Sequence, residues 1–83
     1  MTKSKAIKTA REQVSELYRF GDGYRFQIYN ERFNGWSETY PTNYWNAQRM
    51  RSEALIQRTR EALGHSDGDQ YVEYYGGSWR DYV

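Results

Sequence analysis

Twenty consecutive residues, Tyr44 to Leu63, contain neither glycine nor proline, and they constrain this chain more than any other stretch. The single proline, Pro41, lies just upstream, and Gly64 follows directly. Thr42 or Asn43 can cap a helix there, because a short polar side chain accepts a hydrogen bond from a free amide of the first turn. Glycine at the far end takes the left-handed conformation that terminates a helix. Trp45, Gln48, Ser52, Leu55, Ile56, Thr59, Ala62 and Leu63 share one face at helical spacing, so that face is expected to be buried. Ser52 and Thr59 are small enough to let the helix lie close to a sheet. Arg49 and Glu53 stand one turn apart and support the exposed side as an ion pair. A helix over 43–63 is therefore expected.

Upstream, Ile7, Ala10, Val14 and Leu17 recur at steps of three and four. That spacing predicts an amphipathic helix over 4–17, with Lys5, Lys8, Arg11 and Glu12 on its polar side. Gly21-Asp22-Gly23 then marks a turn. In the run from Tyr24 to Asn30, Tyr24, Phe26 and Ile28 point one way, and Arg25, Gln27 and Tyr29 the other, the pattern of a half-buried strand. Leu17 to Phe20 pairs with it across the glycine turn. Asn34-Gly35 is a second turn signal, and Trp36 to Tyr40 alternates again. Residues 17–40 are thus expected to form a three-stranded antiparallel meander, with its rings in the core and its arginines in water.

The chain closes on a second pair of glycines, Gly76-Gly77, set between aromatic-rich runs. Adjacent glycines suit a two-residue hairpin loop that needs positive φ. The expected hairpin over 70–83 sets Tyr74 opposite Trp79, Glu73 opposite Arg80 and Tyr71 opposite Tyr82. Tyr71, Tyr75 and Tyr82 then share one face, and Tyr74 and Trp79 the other. Two aromatic faces exceed what a small core uses, which leaves one for a partner. The element order is αβββαββ in one domain, residues 1–83. The fold class is α+β, a mostly antiparallel sheet with helices packed on one face.

An 83-residue chain buries a modest fraction of its surface, and here half of the apolar residues are aromatic, nine of them tyrosine. There is no cysteine, so neither a disulfide nor a thiolate metal site is available. No apolar run approaches membrane-spanning length, and a bacterial cytoplasm is the expected location. The formal net charge is +1, unevenly spread: residues 1–60 carry 11 basic and 6 acidic side chains, residues 61–83 carry 1 and 5. A dedicated DNA binder is usually more basic than this.

Catalytic constellations are missing from the sequence. His65 is the only histidine and stands in a polar loop after the long helix. Asp67-Gly68-Asp69 has part of a calcium loop but lacks the further oxygen ligands such a loop needs. No serine carries a nucleophile motif, and no carboxylate pair is tied together by spacing. The expectation is a non-enzymatic chain with no cofactor and no metal.

Short length, absent cysteine, one compact α+β domain, abundant Tyr, Trp and Arg and no catalytic motif together resemble the small accessory proteins of bacteriophages and mobile elements. Among these the chain is most similar to anti-CRISPR proteins. The resemblance implies an inhibitor that binds a host CRISPR–Cas effector complex and blocks target DNA recognition or nuclease recruitment. The charge balance departs from the strongly acidic, DNA-mimicking members. As protein-contacting anchors the sequence offers Tyr71, Tyr74, Tyr75, Trp79 and Tyr82, with Asp67, Asp69 and Glu73 facing a basic groove on the partner. The alternative is a nucleic-acid-binding accessory protein using Lys5, Lys8, Arg11, Arg49, Arg51 and Arg58. Either a monomer or a homodimer fits, the latter through an exposed hairpin edge.

Overall fold

Thr2 starts the first helix: its side chain accepts a hydrogen bond from the Lys5 amide at 3.3 Å. The computed structural model describes residues 1–65 and 72–83. Helix α1 spans Lys3–Gln13 and ends short of the expected Leu17. Val14 leaves it with extended backbone and pairs with Ile28, and the Ser15 amide donates to the Gln27 carbonyl at 2.9 Å. Val14 is β-branched and loses less by extending than by continuing a helix. Val14 and Leu17 still face the core, although both lie beyond the helix.

Four strands follow, β1 (Tyr18–Phe20), β2 (Gly23–Arg25), β3 (Gln27–Asn30) and β4 (Gly35–Glu38), then helix α2 (Tyr44–Ala62). They pair antiparallel as β1 with β2 and β3 with β4. Helices and antiparallel strands in one small chain make this an α+β fold, as its alternation and helical spacing predict. The sheet is divided, however, where one meander is expected. The chain runs 14–20 and 35–42 do lie on opposite edges of 23–30. Each flanking run carries one extra residue near Phe26: Val14 pairs with Ile28 but Tyr18 with Arg25, and Thr39 bonds Phe26 while Thr42 bonds Tyr24. Such bulges bend a strand and interrupt its ladder. Phe26 sits at the bend, 1% exposed, with its carbonyl accepting from the Thr39 amide at 3.0 Å and its amide donating to Thr39 Oγ1 at 3.1 Å.

The bulge explains one glycine. A Cβ on Gly23 would stand 3.0 Å from the Thr42 carbonyl oxygen and 3.2 Å from the Thr42 nitrogen. Both are backbone atoms fixed by the paired hydrogen bonds between Tyr24 and Thr42. Gly23→Ala should therefore destabilise the protein by about 1–3 kcal/mol, the usual range for overpacking. At Gly35 the nearest atom is 3.6 Å from an added Cβ, an ordinary contact, so Gly35→Ala should stay within about 0.5 kcal/mol of the parent. Chemical denaturation of the two variants side by side checks the contrast.

The arginine between the rings is not in water. Arg25 lies across from Tyr18, and its guanidinium sits 3.5 Å from the centroid of the Phe20 ring. Its Nε donates to Tyr18 Oη at 3.0 Å, and its Nη2 pairs with Glu38 at 2.9 Å. Phe20 is accordingly an exposed ring lidded by a cation rather than a core residue. Cross-strand pairing placed both on the same face, which alternation along a single strand does not reveal.

Asn43 caps α2 by accepting from the Asn46 amide at 2.8 Å. The helix packs mainly on α1, not on a sheet. Its buried stripe is Ala47, Ser52, Leu55, Ile56 and Thr59, and α1 meets it with Ala6 and Ala10 fully buried. Small side chains permit close approach of two helices, and the Thr59 hydroxyl is satisfied by the Leu55 carbonyl at 2.7 Å. Trp45, expected on that buried face, is 50% exposed, its ring lying beside Tyr74 of the closing segment. Two clusters make up the core: Ala10, Val14, Phe26 and Leu55, and beside it Ile56, Val72 and Tyr74. Trp79 packs against both.

The closing hairpin does not form among the described residues. Residues 72–78 are non-strand, and Trp79–Tyr82 is a 3₁₀ helix. Gly76 and Gly77 do take positive φ, 128° and 80°, as the turn signal requires. The expected Tyr74–Trp79 and Glu73–Arg80 pairs are absent, and tyrosine hydroxyls instead bind the Tyr75 amide and the Gly76 and Gly77 carbonyls. The element order is therefore αββββα followed by a 3₁₀ helix.

Candidate partner-binding surface

The segment 72–83 is docked on α2 by polar contacts at both ends. The Tyr74 amide donates to Glu53 Oε2 at 3.3 Å, and the same oxygen accepts from Arg49 at 3.3 Å. Farther along, Arg60 Nη2 donates to the Tyr82 carbonyl at 2.9 Å. Between these anchors, Tyr74 is 5% exposed and packs with Ile56 and Val72. Its ring lies 5.2 Å from that of Tyr82 and 6.5 Å from that of Trp45.

Two hydroxyl groups then fix the glycine turn. Tyr74 Oη donates to the Gly77 carbonyl, and Tyr82 Oη donates to the Gly76 carbonyl at 2.8 Å. Tyr82 Oη also accepts from the Tyr75 amide at 3.1 Å. Thus the backbone on both sides of Tyr75 is held, while the Tyr75 ring itself is 75% exposed. Glu73, two residues earlier, is exposed, and half-exposed Trp45 lies beside the ring of Tyr74. Tyr75 and Glu73 are thus displayed on an ordered support.

Of the residues expected to contact a protein partner, the structure separates three groups. Tyr74, Trp79 and Tyr82 build the support, and their rings contribute to the core. Tyr75 and Glu73 are displayed. Tyr71, Asp67 and Asp69 lie outside the described residues. Trp45 joins the surface although its helical position suggests burial.

The basic residues also divide. Arg49 is paired with Glu53, and Arg58 Nη1 donates to Gln13 at 3.4 Å, which joins α2 to α1. Lys5 is exposed on α1. Lys8, Arg11 and Arg51 line one groove, with Trp36 and Arg80. Among the described residues no group of three or more His, Asp or Glu side chains gathers to hold a metal, and no helix is long and apolar enough to cross a membrane. No protein-family model matches the chain, and neither does any curated protein or solved structure.

Proposed function

We propose that the chain is a non-enzymatic protein-binding module, a phage-type inhibitor that docks on a host CRISPR–Cas effector complex and blocks target DNA recognition or nuclease recruitment. The observation that supports it is the presentation of Tyr75. An exposed aromatic side chain on a backbone clamped by two tyrosine hydroxyls gives up little conformational freedom on binding. Tyrosine and tryptophan dominate interface energetics when they fill a partner's pocket, and Trp45, half-exposed beside Tyr74, offers a second ring. The resemblance to anti-CRISPR proteins makes a CRISPR–Cas effector the partner of first choice. Occlusion by a bound module needs no catalytic group.

The test is titration of the purified protein into reconstituted effector complexes, read as loss of target-DNA binding in a gel-shift assay. Wild-type protein should abolish that binding at stoichiometric amounts. Tyr75→Ala and Trp45→Ala should each weaken inhibition by about 30-fold, the size of an interface hot spot. Both variants should keep the parental melting temperature to within about 4 °C, since neither ring is buried. Failure to inhibit any effector class would end the CRISPR reading. Inhibition that survives both substitutions would move the contact surface elsewhere.

A further inference from the structure

A groove of about 690 Å³ opens where α1, β4, α2 and the closing 3₁₀ helix meet. Lys8 and Arg11 come from α1, Arg51 from α2, Arg80 from the 3₁₀ helix and Trp36 from β4. Its size lies within the range of about 300–1,000 Å³ typical of binding clefts. A second groove, lined by Arg19, Tyr24 and Tyr44, adjoins it, and Glu16 and Arg51 line both. The two grooves together hold five cations, Lys8, Arg11, Arg19, Arg51 and Arg80, against two carboxylates, Glu12 and Glu16. That is a net +3 in a chain of formal net charge +1, so the remaining surface carries −2. Positive charge is concentrated along this one track.

Rings alternate with the cations. Trp36 is 48% exposed and is positioned by an edge-on contact with Tyr29, ring centroids 5.6 Å apart. Tyr29 is itself held by a hydrogen bond from its hydroxyl to Asn34 Oδ1 at 2.6 Å. In the second groove Tyr24 and Tyr44 meet edge to face at 5.2 Å. Between the grooves, Arg51 Nε donates to the Ser15 carbonyl at 2.7 Å, and its Nη2 lies 3.7 Å from Glu16. The guanidinium is therefore fixed at the junction.

We propose that this track binds single-stranded nucleic acid, with phosphates at Lys8, Arg11, Arg80 and Arg19 and bases stacked on Trp36 and the Tyr24–Tyr44 pair. Evenly distributed anionic charge accompanied by flat π-faces matches a polynucleotide, and stacking of this kind tolerates any sequence. An acidic peptide matches the cations but makes no use of rings at intervals. A duplex hides its base faces inside the helix, so it too leaves the rings without a role. The proposal is independent of the protein-binding surface around Tyr75, which shares no residue with either groove.

Fluorescence anisotropy with a labelled oligothymidylate of about twenty nucleotides tests it, against the matching duplex and a polyglutamate competitor. With four phosphate contacts on a single strand, the slope of log K against log salt should be about −3. The double reversal Lys8→Glu/Arg11→Glu changes exposed side chains of α1 and should reduce affinity at least 10-fold and flatten the slope by about 1. Trp36→Ala should weaken binding by about 5- to 100-fold, with little change in slope. Arg19→Glu, on an exposed β1 position, provides a reversal outside α1 and should also weaken binding. Circular dichroism melts establish that each variant is folded. Absence of binding at low salt would overturn the proposal. So would equal affinity for duplex, affinity unchanged by Trp36→Ala, or displacement by polyglutamate at matched charge, each of which assigns the track to charge alone.

Discussion

Phe26→Ala should destabilise the protein by about 3–5 kcal/mol, the range for truncating a buried aromatic ring. The side chain is 1% exposed and packs among Ala10, Val14 and Leu55, so it joins both helices to the strands. It also stands where both flanking runs bulge. Its backbone is held by Thr39 on one side, and the Ser15–Gln27 contacts follow directly on the other. With so many neighbours constrained, the site cannot collapse onto the void. The total stability of an 83-residue domain is on the order of 4–12 kcal/mol, so this one ring supports about a quarter or more of it. The melting temperature should fall by more than about 12 °C. Phe20→Ala is the control: that ring is half-exposed beneath Arg25, and its removal should cost no more than about 1 kcal/mol. Equal losses at the two positions would contradict the bulged meander with Phe26 at its centre.

The elements that local chemistry determines were legible in the sequence. Asn43 and Gly64 bracket α2, as capping propensity and the left-handed preference of glycine require, and Gly64 has φ 84°. Ser52, Leu55, Ile56 and Thr59 were recognisable as a buried stripe from spacing alone. Asn34-Gly35 turns the β3–β4 hairpin, with Asn34 at φ 47°. What spacing could not supply was the partner of each face. Ser52 and Thr59 suit close approach to a sheet or to another helix equally, and only the alanines of α1 decide between them. Likewise, alternation along 24–30 predicts one strand, whereas the extra residues in both flanking runs divide its ladder. Bulges arise from the register of two chains, and no single run contains that information.

The candidate surface was legible only as a region. Gly76-Gly77 identified the turn correctly, but positive φ at two glycines serves more than one kind of turn. The hairpin competed with an alternative in which tyrosine hydroxyls bond the Gly76 and Gly77 carbonyls and Tyr82 returns over Tyr74. Burial favoured the second: docking on α2 places Tyr74 against Ile56 and Val72, whereas an isolated two-stranded hairpin is marginal in water. The same choice divided the aromatic residues into three that support and one that is displayed.

Tyr74→Ala should therefore behave as a core mutation, with a loss of about 3–5 kcal/mol. The ring is 5% exposed, and truncation also frees the Gly77 carbonyl and the Tyr82 ring face. Tyr74→Phe keeps the packing and removes only the hydroxyl, so it should cost about 1 kcal/mol, the net value of one hydrogen bond. The difference between the two variants separates packing from the clamp. Because the segment meets α2 through Ile56, Glu53 and Arg60, Tyr74→Ala should also raise amide exchange over 72–83 ahead of global unfolding. Tyr75→Ala, one residue along, should leave both stability and exchange near parental values, since its ring supports nothing beneath it. A Tyr74→Ala variant that melts like the parent would show that 72–83 does not dock on α2. Tyr74 would then rejoin Tyr75 as a displayed ring, and the division of this segment into support and contact would fail with it.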